Sequence, residues 1–147
     1  MSWWEDMEPG AVFKHARGKT VTELEGVLLT NLVLNTAQAH FNEDAMSRTD
    51  LGGTIVFGGV VAAVVIGLAT QDTAEHAVRE LRLDAMRFKA PVRHGDTLYA
   101  YTEVVEKSEH GTVHFRHRGV NQHGAEVFEC ERWVQLKHRP PGARRAH

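Results

Sequence analysis

Gly58-Gly59-Val60-Val61-Ala62-Ala63-Val64-Val65-Ile66-Gly67-Leu68-Ala69-Thr70 is the stretch whose reading decides the fold. Two glycines open it, and the chain then runs almost without a polar side chain until Gln71-Asp72. A helix that is apolar on every face is expected to be buried on every face. At 13 residues it is shorter than the roughly 20 that a bilayer crossing needs. The simplest home is the inside of a curved sheet that wraps around it. Asn35, His40 and the loop Gly52-Gly53-Thr54-Ile55-Val56-Phe57 lie just ahead of the helix, and they are where chemistry is expected.

The rest of the composition sets the frame. A chain of 147 residues fits one domain, taken as 1–138, with enough length to bury a core. A net charge of −2 gives no overall reason to expect nucleic acid or an anionic membrane as partner. The single cysteine, Cys130, excludes an internal disulfide and fits a reducing, cytoplasmic compartment. It sits in a strand-like run, which reads as a buried thiol. The first ten residues, MSWWEDMEPG, are acidic, hold no long apolar run, and do not read as a signal peptide. The tail 139–147, RPPGARRAH, is polar, basic and rich in Pro and Gly, so disorder is expected there.

Along the chain, Gly10 to His15 reads as a short strand and Arg17-Gly18-Lys19 as a turn. Thr22 is a candidate N-cap with Glu25 three residues on, the spacing of a capping box. Leu24, Val27, Leu28, Leu32 and Val33 then fall at helical spacing, predicting an amphipathic helix to about Leu34. Asn42 is a second candidate cap, followed by Glu43 and Asp44 where the helix dipole favours acids. Beyond Asp72 the pattern becomes strand-like over Val78–Ala90, Thr97–Lys107, Thr112–Asn121 and Ala125–His138, with Gly-containing turns between the later runs. Leu98, Ala100, Thr102 and Val104 alternate with Tyr99, Tyr101 and Glu103, so one sheet face is apolar and the other wet. The fold class is α+β, an antiparallel sheet around one apolar helix, and its exposed edges are expected to be protected by dimerisation.

Four segments carry a family resemblance. Thr20-Val21-Thr22-Glu23 resembles the start of the first helix in hot-dog proteins of the MaoC-like type, the (R)-specific enoyl-CoA hydratases and dehydratases. Asn35-Thr36-Ala37-Gln38-Ala39-His40, followed by Phe41-Asn42-Glu43, resembles their catalytic stretch D-x-N-P-x-H-x-D. Gly52-Gly53-Thr54-Ile55-Val56-Phe57-Gly58 resembles G-G-x-I-A-H-G. Phe88-Lys89-Ala90-Pro91-Val92-Arg93-His94-Gly95-Asp96-Thr97-Leu98 resembles F-x-x-P-V-x-x-G-D-x-L, and is the most specific of the four as a fold marker. The resemblance spans about Thr20 to Leu136 and implies a hot-dog fold. It also implies a hydro-lyase acting on a 2-enoyl or 3-hydroxyacyl thioester of CoA or of acyl carrier protein, in a homodimer, with no cofactor beyond the thioester itself.

The sequence departs from the family where the chemistry lies. Asn35 stands where the family has its catalytic aspartate, and Phe57 stands where it has a histidine before the helix glycine. Hydration needs a group to exchange protons and donors for the thioester oxygen. The resemblance assigns proton exchange to His40 and an orienting role to Asn35, which cannot itself take a proton. The amides of Gly58 and Gly59 are expected to bind the oxygen, because a helix N-terminus presents free N–H groups. Phe57 and Val56 are expected to line the substrate. The Asn35-Thr36 form is similar to that of MaoC-like hydratases of branched or dicarboxylic acyl-CoAs.

Two alternatives stay open. One is a hot-dog thioesterase, which usually needs a carboxylate on or beside the central helix, and Gly58–Thr70 has none. The other is an acyl-binding subunit without turnover. Arg82, Arg87, Lys89 and Arg93 are candidates for CoA phosphates, or else form a charged outer strand face. No Cys/His set has metal-ligand spacing, so no metal is expected.

Overall fold

The computed structural model describes residues 2–143. Strand β1 (Val12–Thr20) leads into helix α1 (Glu23–Leu32), the short helix α2 (Glu43–Met46) and the long helix α3 (Gly58–Thr73). Strands β2 (Ala77–Phe88), β3 (Thr97–Lys107), β4 (Thr112–Val120) and β5 (Glu126–Leu136) follow. All pairings are antiparallel, in the order β1-β3-β4-β5-β2. The meander β3-β4-β5 forms the centre, and the two strands flanking α3 in sequence close the opposite edges.

The alternation expected of β3 is what the sheet uses. Leu98, Ala100, Thr102 and Val104 are fully buried, and Val113 and Phe115 continue the inner face on β4. α3 lies on that face, contributing Val60, Val61, Ala62, Val65 and Ala69 to the core. It comes so close that a Cβ added at Gly119 of β4 would sit 2.5 Å from a Val65 methyl. A side chain at position 119 would therefore lift the helix off the sheet.

The expectation of burial on every face of α3 is not met within one chain. Gly59, Ala63 and Gly67 are exposed. They are among the smallest residues of the helix and recur every four positions, so the helix has a narrow open side of little bulk. α1 departs more sharply. Thr22 and Glu25 form the capping box as expected, but the packed face is Gly26 and Thr30, while Leu24, Leu28 and Leu32 face outwards. Strand β2 is also uncovered: Val78, Leu81, Leu83, Met86 and Phe88 are 41–54% exposed. Apolar pattern marks a surface suited to cover, and within this chain these faces stay exposed.

Two further differences concern the ends. Arg17-Gly18-Lys19 is not a turn; β1 runs through it with a register shift between Lys14 and Gly18. Glycine at 18 admits the Tyr99 ring, which a Cβ would meet at 2.5 Å. The N-terminal arm packs on the body: Met7 is fully buried, and Trp3 stacks on His76 at 3.6 Å. Arg139, the first residue of the tail expected to be disordered, ion-pairs with Asp6, and its backbone N–H donates to Glu5 at 2.9 Å. The rest of that expectation, residues 144–147, lies outside the described residues.

Candidate active site at the N-terminus of the central helix

His40 sits at the end of a single 3-10 turn, Gln38–His40, just before α2. Its Nδ1 lies 2.9 Å from the carbonyl oxygen of Ile55. A carbonyl only accepts, so Nδ1 carries the proton and donates it. In the neutral ring this leaves the Nε2 lone pair free. The Ile55 N–H returns a bond to the Ala39 carbonyl at 2.9 Å. Residue 55 therefore fixes the histidine from both its backbone groups.

Two residues later the chain turns into α3. Phe57 is the N-cap by position and supplies no side-chain cap. The first intrahelical bonds come from Val60 and Val61, so the amides of Gly58 and Gly59 have no acceptor in the helix. They form an electropositive end suited to a developing oxyanion. A Cβ at Gly58 would meet the Phe88 ring at 2.9 Å, and one at Gly59 the Phe57 ring at 2.5 Å, so neither position has room for a side chain unless a ring moves.

A cavity of about 410 Å³ joins these parts. His40, Ile55, Val56, Gly58 and Val61 line one side, and Phe88 to Val92 with Val127 line the other. Its wall is apolar apart from His40 and Lys89, and Lys89 is held by Glu126 at 3.0 Å and Glu129 at 2.9 Å. Of the residues expected to form the site, His40, Val56 and Gly58 meet here. Phe57 does not line the cavity; its ring stands 5.5 Å from the His40 ring. Gly59 lies one residue beyond the lining. Asn35 is also outside it, because its Oδ1 accepts the Ala37 N–H at 3.0 Å and so folds the Asn35–Ala37 turn leading to His40.

The four basic candidates for CoA phosphates are all engaged by other groups. Arg82 pairs with Asp84, Arg87 faces Glu129 at 3.8 Å, and Lys89 is doubly paired. Arg93 turns inwards and donates to the carbonyls of Leu51, Gly53 and Thr54. Their ordering by carboxylates and carbonyls was invisible in a one-dimensional charge pattern.

Sequence reasoning missed a second polar group, deep in the core. His117 on β4 is fully buried, and its Nδ1 lies 2.7 Å from Thr102 Oγ1. That hydroxyl also meets His15 Nε2 at 2.7 Å, and His15 Nδ1 meets Asp72 at 2.7 Å. His117 Nε2 and one Arg132 nitrogen, Nη1, have no hydrogen-bond partner, although Arg132 makes a two-pronged pair with Glu80 at 2.8 Å. Burial, then the nearby charges of Arg132 and His15, push the His117 imidazole down to about 3. Its place on the alternating inner face of β4 was the available signal.

Among the described residues no group of three His, Cys, Asp or Glu stands close enough to hold a metal ion. No described helix is long and apolar enough to cross a membrane.

The sheet order, the enclosed helix and the cavity at its N-terminus define a hot-dog protein of the MaoC-like type. A family model described as mesaconyl-CoA hydratase matches residues 4–138, and the chain belongs to that family. It is 32% identical over 139 residues to a mesaconyl-CoA hydratase of Haloarcula marismortui, covering 90% of this chain and 38% of the relative. It is 28% identical over 152 residues to a beta-methylmalyl-CoA dehydratase of Chloroflexus aurantiacus, covering 97% of this chain and 42% of the relative. The chain thus spans well under half the length of these curated relatives. Among solved structures, a Mycobacterium tuberculosis protein described as having a double hotdog fold superposes with a TM-score of 0.81 at 23% identity. That match covers 97% of this chain and 46% of the other.

Proposed function

We propose that this chain carries the catalytic site of a hydro-lyase that adds water to, or removes it from, a branched or dicarboxylic acyl-CoA. The observation that carries this reading is the cavity lined by both His40 and Gly58, in a member of the mesaconyl-CoA hydratase family. The relatives' names supply the acyl class; hydration and dehydration are two directions of one equilibrium.

The thioester carbonyl docks against the amides of Gly58 and Gly59. His40 Nε2 takes a proton from water, whose oxygen bonds to the β-carbon. The alkene pair moves onto the thioester oxygen as an enolate, held by the two amides at the positive end of α3. The imidazolium returns its proton to the α-carbon, the carbonyl re-forms, and the base is restored. One imidazole serves both transfers. Asn35 shapes the turn that presents it, and its side-chain N–H groups remain donors for a water or an acyl oxygen.

A second hot-dog unit is part of the reading. Phe88 to Pro91, one cavity wall, lie where β2 ends at the uncovered sheet edge. Another copy of this chain, pairing along β2, would cover that edge and close the cavity. A cytoplasmic setting fits a CoA substrate and a lone buried cysteine.

The test is a hydration assay with mesaconyl-CoA and a straight-chain 2-enoyl-CoA, following loss of the enoyl thioester absorbance. His40→Ala is expected to lower kcat/KM by at least about 100-fold. Full activity in His40→Ala would remove the assignment. Binding of both thioesters without turnover by the wild type would make the chain an acyl-binding subunit instead.

A further inference from the structure

The loop between α2 and α3 has no regular structure of its own. It contains two glycines at positive φ, Gly52 at +68° and Gly53 at +155°. Yet Ile55, two residues after Gly53, sets the protonated nitrogen of His40, and three residues further on Gly58 opens the helix. An irregular segment that fixes two parts of a site must be held from outside.

It is held by a pair of opposite charges acting on opposite kinds of backbone group. The Glu43 carboxylate accepts the Thr54 N–H at 2.9 Å and the Thr54 hydroxyl at 2.8 Å. Arg93 donates to the acceptors: the carbonyls of Gly53 at 3.1 Å, Thr54 at 3.3 Å and Leu51. Residue 54 is thereby gripped through its N–H, its hydroxyl and its C=O. Gly53 is what lets the Glu43 carboxylate in, since a Cβ there would lie 2.8 Å from it, while Arg93 Nη1 at 3.7 Å would be in ordinary contact. The two clamping residues are themselves anchored. Glu43 begins α2, three residues after His40, and Asn42 caps that turn by accepting from Ala45 N–H at 2.9 Å. Arg93 donates its backbone N–H to Asp96 at 2.8 Å, while the neighbouring Val92 carbonyl takes the Val56 N–H at 2.8 Å.

We propose that Arg93 and Glu43 are positioning residues for the site: by clamping Thr54 they fix the Ile55 carbonyl, and so the tautomer and aim of His40. Neither charge needs to touch substrate. The inference rests on the reading of His40 as the acid/base, but its structural half stands apart from it. A lysine cannot replace Arg93 fully, because three carbonyls need the planar fork of N–H groups rather than one ammonium.

The experiment uses the intact chain labelled with ¹⁵N in its imidazoles. Long-range ¹H–¹⁵N spectra of the wild type are expected to show His40 as a single neutral Nδ1–H tautomer. In Arg93→Ala the Nε2–H form should appear alongside it, with Arg93→Lys intermediate. Where turnover is measurable, kcat should fall 10–100-fold in Arg93→Ala with KM changed less than about threefold. Millimolar guanidinium should restore part of the Arg93→Ala loss and nothing in His40→Ala. Glu43→Gln, which keeps the shape of the clamp, should shift the tautomers the same way, and its kinetic effect should not add to that of Arg93→Ala.

A folded Arg93→Ala or Glu43→Gln protein with a single Nδ1–H tautomer and unchanged kcat overturns the proposal. If Arg93→Ala does not fold, Arg93→Lys and Glu43→Gln decide it by the same spectra. An active His40→Ala would instead sink the acid/base reading, and the tautomer result would still judge the clamp.

Discussion

Protonating His117 is expected to unfold the protein from its core, and the size of the effect follows from where the ring sits. The imidazole is fully buried between Thr102 and the Arg132 side of the sheet, so a proton there meets a dry site and a neighbouring guanidinium. Its folded value is about 3 against an ordinary 6.5. The unfolded chain therefore binds a proton that the folded chain refuses. Stability is fully present above the ordinary value, falls as pH drops below 6.5, and stops falling only near 3. At pH 4.5, two units into this window, the loss is on the order of 3 kcal/mol. That is a large share of the 5–15 kcal/mol typical of a domain. The comparison is wild type against His117→Asn, which keeps a polar group near the Nδ1 position and cannot titrate. Urea unfolding is measured at pH 7.5, 6.0 and 4.5. The variant starts less stable, and the gap should close by something on the order of 3 kcal/mol on acidification. Carboxylates titrate alike in both proteins and cancel. Parallel stability curves for the two proteins would refute the reasoning.

Three other outcomes follow from the packing. Gly119→Ala forces a Cβ to within 2.5 Å of Val65 and should cost about 1–3 kcal/mol, read as a lowered melting temperature. Leu83→Lys places a charge on the inner side of the uncovered strand β2, opposite Arg132; under the proposed pairing along β2, light scattering should report the mass of two chains for the wild type and of one for the variant. Cys130 is 1% exposed, and burial pushes its thiol up to about 11. It should resist a thiol reagent at pH 8 in the folded protein and react at once in urea.

The boundaries of β3, β4 and β5 were legible because alternation and glycine turns are local signals that agree with each other. The same holds for the Thr22–Glu25 capping box, whose two bonds need only four residues. Arg17-Gly18-Lys19 misled because glycine marks a turn and a close approach equally well, and only the Tyr99 ring on a strand some 80 residues away decides between them. In the site, His40 and Gly58 were singled out by the family resemblance, and both line the same cavity. The Asn35 side chain turned out to serve a turn, and Arg93 three carbonyls. Both are outcomes of folding that residue type alone does not encode. The His15–Thr102–His117 chain draws on three strands, so no window of sequence contains it. The apolar faces of α1 and β2 were readable as apolar, but the pattern carries no label for which molecule covers them.

The place of α3 in the chain also has a consequence for synthesis. The helix ends at Thr73, while the last strand of the sheet that receives it ends at Leu136. About 60 residues must therefore leave the ribosome after the most apolar segment is complete, which at 5–20 residues per second takes roughly 3–12 s. At the start of that interval Val60, Val61 and Val65 have only α1 and β1 to lie against, and β1 lacks its partner β3 until Lys107 is made. The nascent chain thus spends seconds displaying a greasy helix, and a chaperone that recognises short apolar helices would find this protein during its translation rather than after it.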